Sequence, residues 1–160
     1  MATEFYYTPQ ILRESAEGIN RFDIRDEMLA NRELELTGAV DAESCAGIIR
    51  GLIYLQRQDA KAPITLYVNS PGGEVQSGLA LYDTMQAVSC PVHTVCLGMA
   101  ASMGAFLLSC GAKGKRIALP NAEVMIHQPS AGTQGKVTDM EIDVEHFLKI
   151  KQRMTRILSE

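Results

Sequence analysis

The chain has 160 residues, 46% of them hydrophobic, a formal net charge of −4, and 15 lysines and arginines that are scattered apart from a short Lys113–Arg116 group. That length suits a single domain with a real core, its apolar runs are too short to span a bilayer, and its charge forms no basic stripe. A soluble protein is expected, with neither membrane nor nucleic acid as partner. The first nine residues carry Glu4 early and lack a basic-then-apolar pattern, which excludes a secretory signal. Cys45, Cys90, Cys96 and Cys110 show no C-x-x-C spacing, and so read as buried reduced thiols of a cytoplasmic protein, with no metal site.

In chain order, Asp23 to Asn31 reads as a short helix and Glu33 to Leu36 as a strand. Asp41 is placed to cap a helix running to about Gln58, with Ile48, Ile49, Leu52, Ile53 and Leu55 on its apolar side. Ile64 to Val68 is a strand, Val75 to Val88 a helix, and Val92 to Leu97 a buried strand. A helix begins at Ser102, followed by short strands at Arg116 to Leu119 and Glu123 to His127. Strand-helix alternation predicts an α/β fold with a largely parallel sheet, right-handed crossovers and covered faces, its functional loops gathered at the strand ends. From Met140 a stripe of Val144, Phe147, Ile150, Met154 and Ile157 marks one face of a helix. No repeat, linker or low-complexity tract divides the chain.

Chemistry is signalled by three segments. Ser102 stands among small residues in Gly98-Met99-Ala100-Ala101-Ser102-Met103-Gly104, at a strand-to-helix turn. Small neighbours permit a sharp turn that pushes the hydroxyl outward, as in the nucleophile elbow G-x-S-x-G, with Ala100 in place of the first glycine. Ser102 alone reads first as a helix N-cap. The loop Asn69-Ser70-Pro71-Gly72-Gly73-Glu74 ends the first central strand, where glycine lets backbone amides approach a ligand. Gly73 could offer its N–H to an oxyanion together with the Met103 N–H, although Pro-Gly-Gly alone also reads as an ordinary turn. His127, in Val124-Met125-Ile126-His127-Gln128-Pro129, supplies a general base or, taken alone, a hydrogen-bonded strand histidine. The three together are more specific than any one. Extended peptide is expected to add as a strand beside Gly72, Gly73 and Val75. His93, within a strand, and His146, on a charged helix face, are assigned no catalytic role.

Six runs then resemble one family. They are Tyr67 to Gly73, Leu81 to Gln86, Gly98 to Leu108, Gly111 to Arg116, Leu119 to Asn121 and Met125 to Pro129, and in this order they are similar to the proteolytic subunit of the ATP-dependent Clp protease, ClpP. The likeness runs from about Pro9 to Glu160. It implies the ClpP/crotonase-like fold of repeated β-β-α units with a protruding handle helix. It also implies a serine endopeptidase with Ser102 as nucleophile, His127 as base, and Gly73 and Met103 as oxyanion hole. Residues 1–18 would form an axial N-terminal segment and 129–160 the handle, so that the apolar stripe becomes an assembly seam. The resemblance further implies two stacked heptameric rings, an AAA+ Clp unfoldase that delivers unfolded polypeptides, and no cofactor in the peptidase itself.

Three departures qualify the likeness. The family's catalytic aspartate lies well beyond the histidine, and this sequence holds no counterpart; no family motif places Asp139 or Asp143 at His127. The final helix pattern reaches Glu160 without a glycine stop, so part of the head is expected to be missing. Thr65 and Ala87 are small where the family carries larger residues in the pocket that receives the unfoldase loop, while Tyr67 is retained. A non-catalytic ring subunit is therefore the alternative to an active peptidase. An acyl-CoA enzyme on the same fold is a further rival, against which Ser102 and His127 in their motifs argue.

Overall fold

The computed structural model describes residues 9–16 and 18–160. Strands β1 (Gln10–Ser15) and β2 (Gly18–Asp23) pair antiparallel, from Gln10↔Asp23 to Ser15↔Gly18. The mixed polarity of this segment had given no sequence signal for a hairpin. Residues 1–8 and 17 of the expected axial segment lie outside the described residues. Asp23 then caps α1 (Ile24–Ala30), its carboxylate accepting from the Arg25 N–H at 2.8 Å. An ion pair between Arg13 and Glu27 at 2.5 Å joins hairpin to helix.

The body of the chain alternates β3 (Glu33–Val40), α2 (Ala42–Gln58), β4 (Ile64–Gly73), α3 (Val75–Ala87), β5 (Val92–Ala101) and α4 (Met103–Ser109). It ends on a β-β-α run: β6 (Arg116–Ala118), β7 (Glu123–Met125) and α5 (Val137–Ser159). Every pairing in the main sheet is parallel, in the order β3-β4-β5-β6, with β7 also on β5. Neighbouring strands follow in chain order, so right-handed crossovers all land on the same face. Ile64, Leu66 and Val68 of β4 and Val92 and Cys96 of β5 are buried in one cluster with Leu52 of α2, Leu81 of α3 and Phe106 of α4. The expectation of two covered faces is therefore not met. On the opposite face Thr65, Tyr67, His93 and Val95 are only half-buried.

Helix α2 shows how its sequence sets its limits. The Asp41 carboxylate accepts from the Ser44 N–H at 2.8 Å, and the Ser44 hydroxyl accepts from the Asp41 N–H at 3.0 Å, a reciprocal capping box. The Ser44 bonds hold the Asp41 carboxyl below its usual range. Cys45, Ile48, Leu52 and Leu55 face the core, whereas Ile53, expected with them, is exposed beside Tyr54 because it falls outside that stripe.

The far end of α2 is fastened by Arg32, in left-handed backbone at φ 64°. Its guanidinium donates to the carbonyls of Leu55 (3.0 Å), Asp59 (3.0 Å), Ala62 (2.9 Å) and Pro63 (3.1 Å) and to Cys90 Sγ (3.4 Å). Those carbonyls lie at the helix end and in the loop before β4, where the Leu55 carbonyl also takes the Asp59 N–H and the Asp59 carbonyl the Cys90 thiol. Arg32→Met should lower stability by about 2–3 kcal/mol, since it strands several acceptors of a charged donor; urea unfolding measures this.

Helix α5 divides the apolar stripe in two. Met154 is buried, and Ile150 and Ile157 pack against the core cluster, while Val144 remains exposed, as do neighbouring Ile142 and Leu148. The expectation of one continuous assembly seam is corrected for the C-terminal half: those side chains complete this chain's own core. Met154→Ala should cost about 2 kcal/mol in urea unfolding, as a core truncation does, and Val144→Ser no more than about 0.5 kcal/mol.

Candidate functional site

The strand-to-helix turn after β5 places Ser102 at φ 52°, ψ −119°, a conformation that L side chains rarely adopt. Three contacts hold it there. The Ser102 N–H donates to the Met125 carbonyl of β7 at 2.8 Å, and the Ser102 carbonyl accepts from the Phe106 N–H at 3.0 Å as α4 begins. The third is steric. A side chain at Gly72 would lie 2.7 Å from the Ala101 carbonyl, 2.7 Å from Ser102 Cβ and 2.9 Å from the Met103 nitrogen. Gly72, at φ 94°, is glycine because the Pro-Gly-Gly loop presses its backbone on the elbow.

Pairing fixes what faces that elbow. β4 runs past its expected end at Val68 and pairs Ala39↔Gly72 and Val40↔Gly73, with the Glu74 N–H donating to the Val40 carbonyl at 2.7 Å. In a parallel ladder the residue opposite Val40 turns its own N–H and C=O to the other edge. The Gly73 amide therefore faces away from β3. Met103 is the first residue of α4, and its N–H is among those that a helix start leaves without a partner inside the helix.

β7 ends at Met125, so His127 lies two residues beyond the strand expected to contain it. The physical reason is the partner: β5 supports β7 only through Ala101↔Met125, after which the chain at Ser102 turns into α4. His127 is thus an exposed loop residue whose Nδ1 lies 2.7 Å from the Gln128 carbonyl. A carbonyl only accepts, so Nδ1 is the nitrogen that donates there, which leaves Nε2 as the acceptor in the neutral ring.

Ser102, Met103, His127 and Val75 line one cleft of about 330 Å³, closed on its far side by Met154 and Leu158 of α5. Ser102 and His127 share this space without a hydrogen bond between them. Gly72 reaches the cleft through its backbone contact with Ser102 and Met103. A second cleft of about 490 Å³ adjoins it, with Val75, Gln128, Pro129 and Lys151 common to both, and includes Glu74 and His146. His93 lines neither, and Asp143 bonds the Thr133 hydroxyl rather than His127. Tyr67 donates to Glu33 at 3.1 Å and is half-buried, with Thr65 half-buried and Ala87 exposed.

The cysteines offer no rival nucleophile of raised reactivity at Cys45, Cys96 or Cys110. Burial pushes all three thiols up, Cys110 to about 11, which keeps them protonated near neutral pH. All four cysteines are free.

Two contributors escaped the sequence reading. The C-terminal turns of α5 were assigned to assembly, and only tertiary packing brings Met154 and Leu158 to the cleft. Ser70 is fully buried, and its Oγ accepts from the Gly72 N–H at 3.1 Å. A polar residue at an inward position of β4 was the available signal, masked by its place in a loop motif.

Among the described residues the architecture, a parallel α/β sheet with five helices, agrees with the ClpP/crotonase-like fold. The family model for Clp protease matches residues 15–160, from the end of β1 through α5. Every segment that builds the cleft falls inside that match, and the chain belongs to the Clp protease family.

Proposed function

We propose that the chain is a serine endopeptidase subunit that hydrolyses unfolded polypeptides. The observation that carries this reading is the strained Ser102 turn and His127 opening into one cleft, with the Met103 amide and the Gly72-Gly73 backbone against the same turn. The Ser102 oxygen attacks the peptide carbonyl carbon while its proton passes to His127 Nε2. The tetrahedral oxyanion accepts from the Gly73 and Met103 N–H groups, which stabilise charge only as it develops. The C–N bond then breaks, and His127 returns the proton to the departing amine. Water repeats the attack on the acyl-enzyme and releases a carboxylic acid, which restores Ser102. Peptide lies extended beside Gly72, Gly73 and Val75, where the outward edge of Gly73 supplies backbone hydrogen bonds. The apolar lining of the cleft, including Phe106 and Met154, supports a broad preference for apolar side chains.

In this reading the protein is cytoplasmic, needs no cofactor and assembles as two stacked heptameric rings served by an AAA+ unfoldase. The exposed Ile142, Val144 and Leu148 on α5 suit a handle that meets its counterpart in the opposing ring. A second reading, a non-catalytic ring subunit, is favoured by one observation: His127 Nδ1 is held by a backbone carbonyl rather than a carboxylate, and Ser102 is not hydrogen-bonded to Nε2. Catalytic hydrogen bonds often tighten only when substrate binds, so the active reading is preferred.

A fluorophosphonate should form one covalent adduct, mapped by mass spectrometry to Ser102. Ser102→Ala should abolish the adduct and remove whatever cleavage of an unfolded polypeptide the parent shows, while sedimentation is unchanged. No adduct on folded, assembled protein would establish the non-catalytic alternative. Serine at both Val144 and Leu148 should split double rings into single rings in sedimentation, with the thermal midpoint preserved; unchanged particles would remove the handle assignment.

A further inference from the structure

Between Thr37↔Asn69 and Ala39↔Gly72 the register of β3 and β4 steps, so that Ser70 and Pro71 oppose the single residue Gly38. A bulge of this kind deprives the extra residues of ladder partners. Pro71 has no N–H to lose, but Gly72 has one and is buried. The Ser70 hydroxyl accepts that N–H at 3.1 Å and so ties the bulged residue to the first paired residue after it.

Ser70 is itself held on two sides. Its residue pairs with Ala100 of β5, and its carbonyl lies so close to α4 that a side chain at Gly104 would come within 2.9 Å of it. Ser70 is fully buried and does not itself line the cleft. It acts on Gly72, which in turn abuts Ser102 and Met103 and precedes the outward-facing Gly73 amide.

We propose that Ser70 is a positioning residue for the oxyanion site: its hydroxyl locks the bulged Gly72 peptide so that the Gly73 N–H is presented to the Ser102 side. The proposal rests on the serine-peptidase reading. Without the hydroxyl, the bulge would lose the bond that ties Ser70 to the Gly72 peptide, and the next peptide would gain freedom to rotate. Such a change weakens the transition state while leaving extended peptide free to bind.

The test compares the parent chain with Ser70→Ala and the near-isosteric Ser70→Cys, whose sulfur is a weak acceptor. Three quantities are measured: the rate of fluorophosphonate labelling at Ser102, the affinity of a peptide boronate, and the affinity of the same peptide as an unreactive amide. In Ser70→Ala the labelling rate and the boronate affinity should fall together by about 10–100-fold, less than the loss of a whole oxyanion donor, with amide affinity within about twofold. Ser70→Cys should recover part of both. If boronate and amide affinities fall equally, or neither moves, Ser70 is a structural residue only and the proposal fails. If the parent neither labels nor binds boronate, the peptidase reading itself fails and Ser70's role with it.

Discussion

The structure turns on one strained residue. At φ 52° Ser102 occupies backbone space that costs about 1–3 kcal/mol, and such a conformation persists only where its surroundings over-determine it. Here the surroundings come from three parts of the chain. β7 takes the Ser102 N–H, α4 takes its carbonyl, and the Pro-Gly-Gly loop packs a bare glycine against its side chain. Relaxing the turn would require all three to move, and two of them carry the other chemical groups of the cleft.

The same arrangement explains why the polar groups converge. A parallel sheet whose crossovers share one face leaves its strand ends on a common edge, so the ends of β4, β5 and β7 meet. Gly73, Ser102 and His127 each follow from one of these ends. The helix start at Met103 adds, beside Ser102, an amide without a partner inside the helix. Helix α5 then closes the cleft with Met154 and Leu158, so one helix contributes both core and cleft wall and still leaves Val144 and Leu148 exposed on its first half.

Much of this was legible in sequence because local signals agreed with the fold. Asp41 announces the start of α2, and the apolar run from Ile64 to Val68 marks a strand, although not that only one of its faces is covered. The small residues around Ser102 mark the elbow. Other features lack a local signature. Arg32 resembles any surface arginine until the fold brings four carbonyls to it, and Ser70 resembles a turn residue until the fold buries it with its hydroxyl on the Gly72 N–H. His127 was placed inside a strand because its neighbours are apolar, yet the strand ended where β5 stopped supporting it. The α5 stripe has one period throughout, and periodicity alone does not tell which half meets its own core and which faces outward.

The most direct measurement is a crystal structure of the protein treated with a peptide boronate. The account predicts boron bonded to Ser102 Oγ, one boronate oxygen within hydrogen-bond distance of the Gly73 and Met103 nitrogens, and His127 Nε2 against the other. Boron on any other residue, or on Ser102 with its oxygens directed away from both amides, would contradict it.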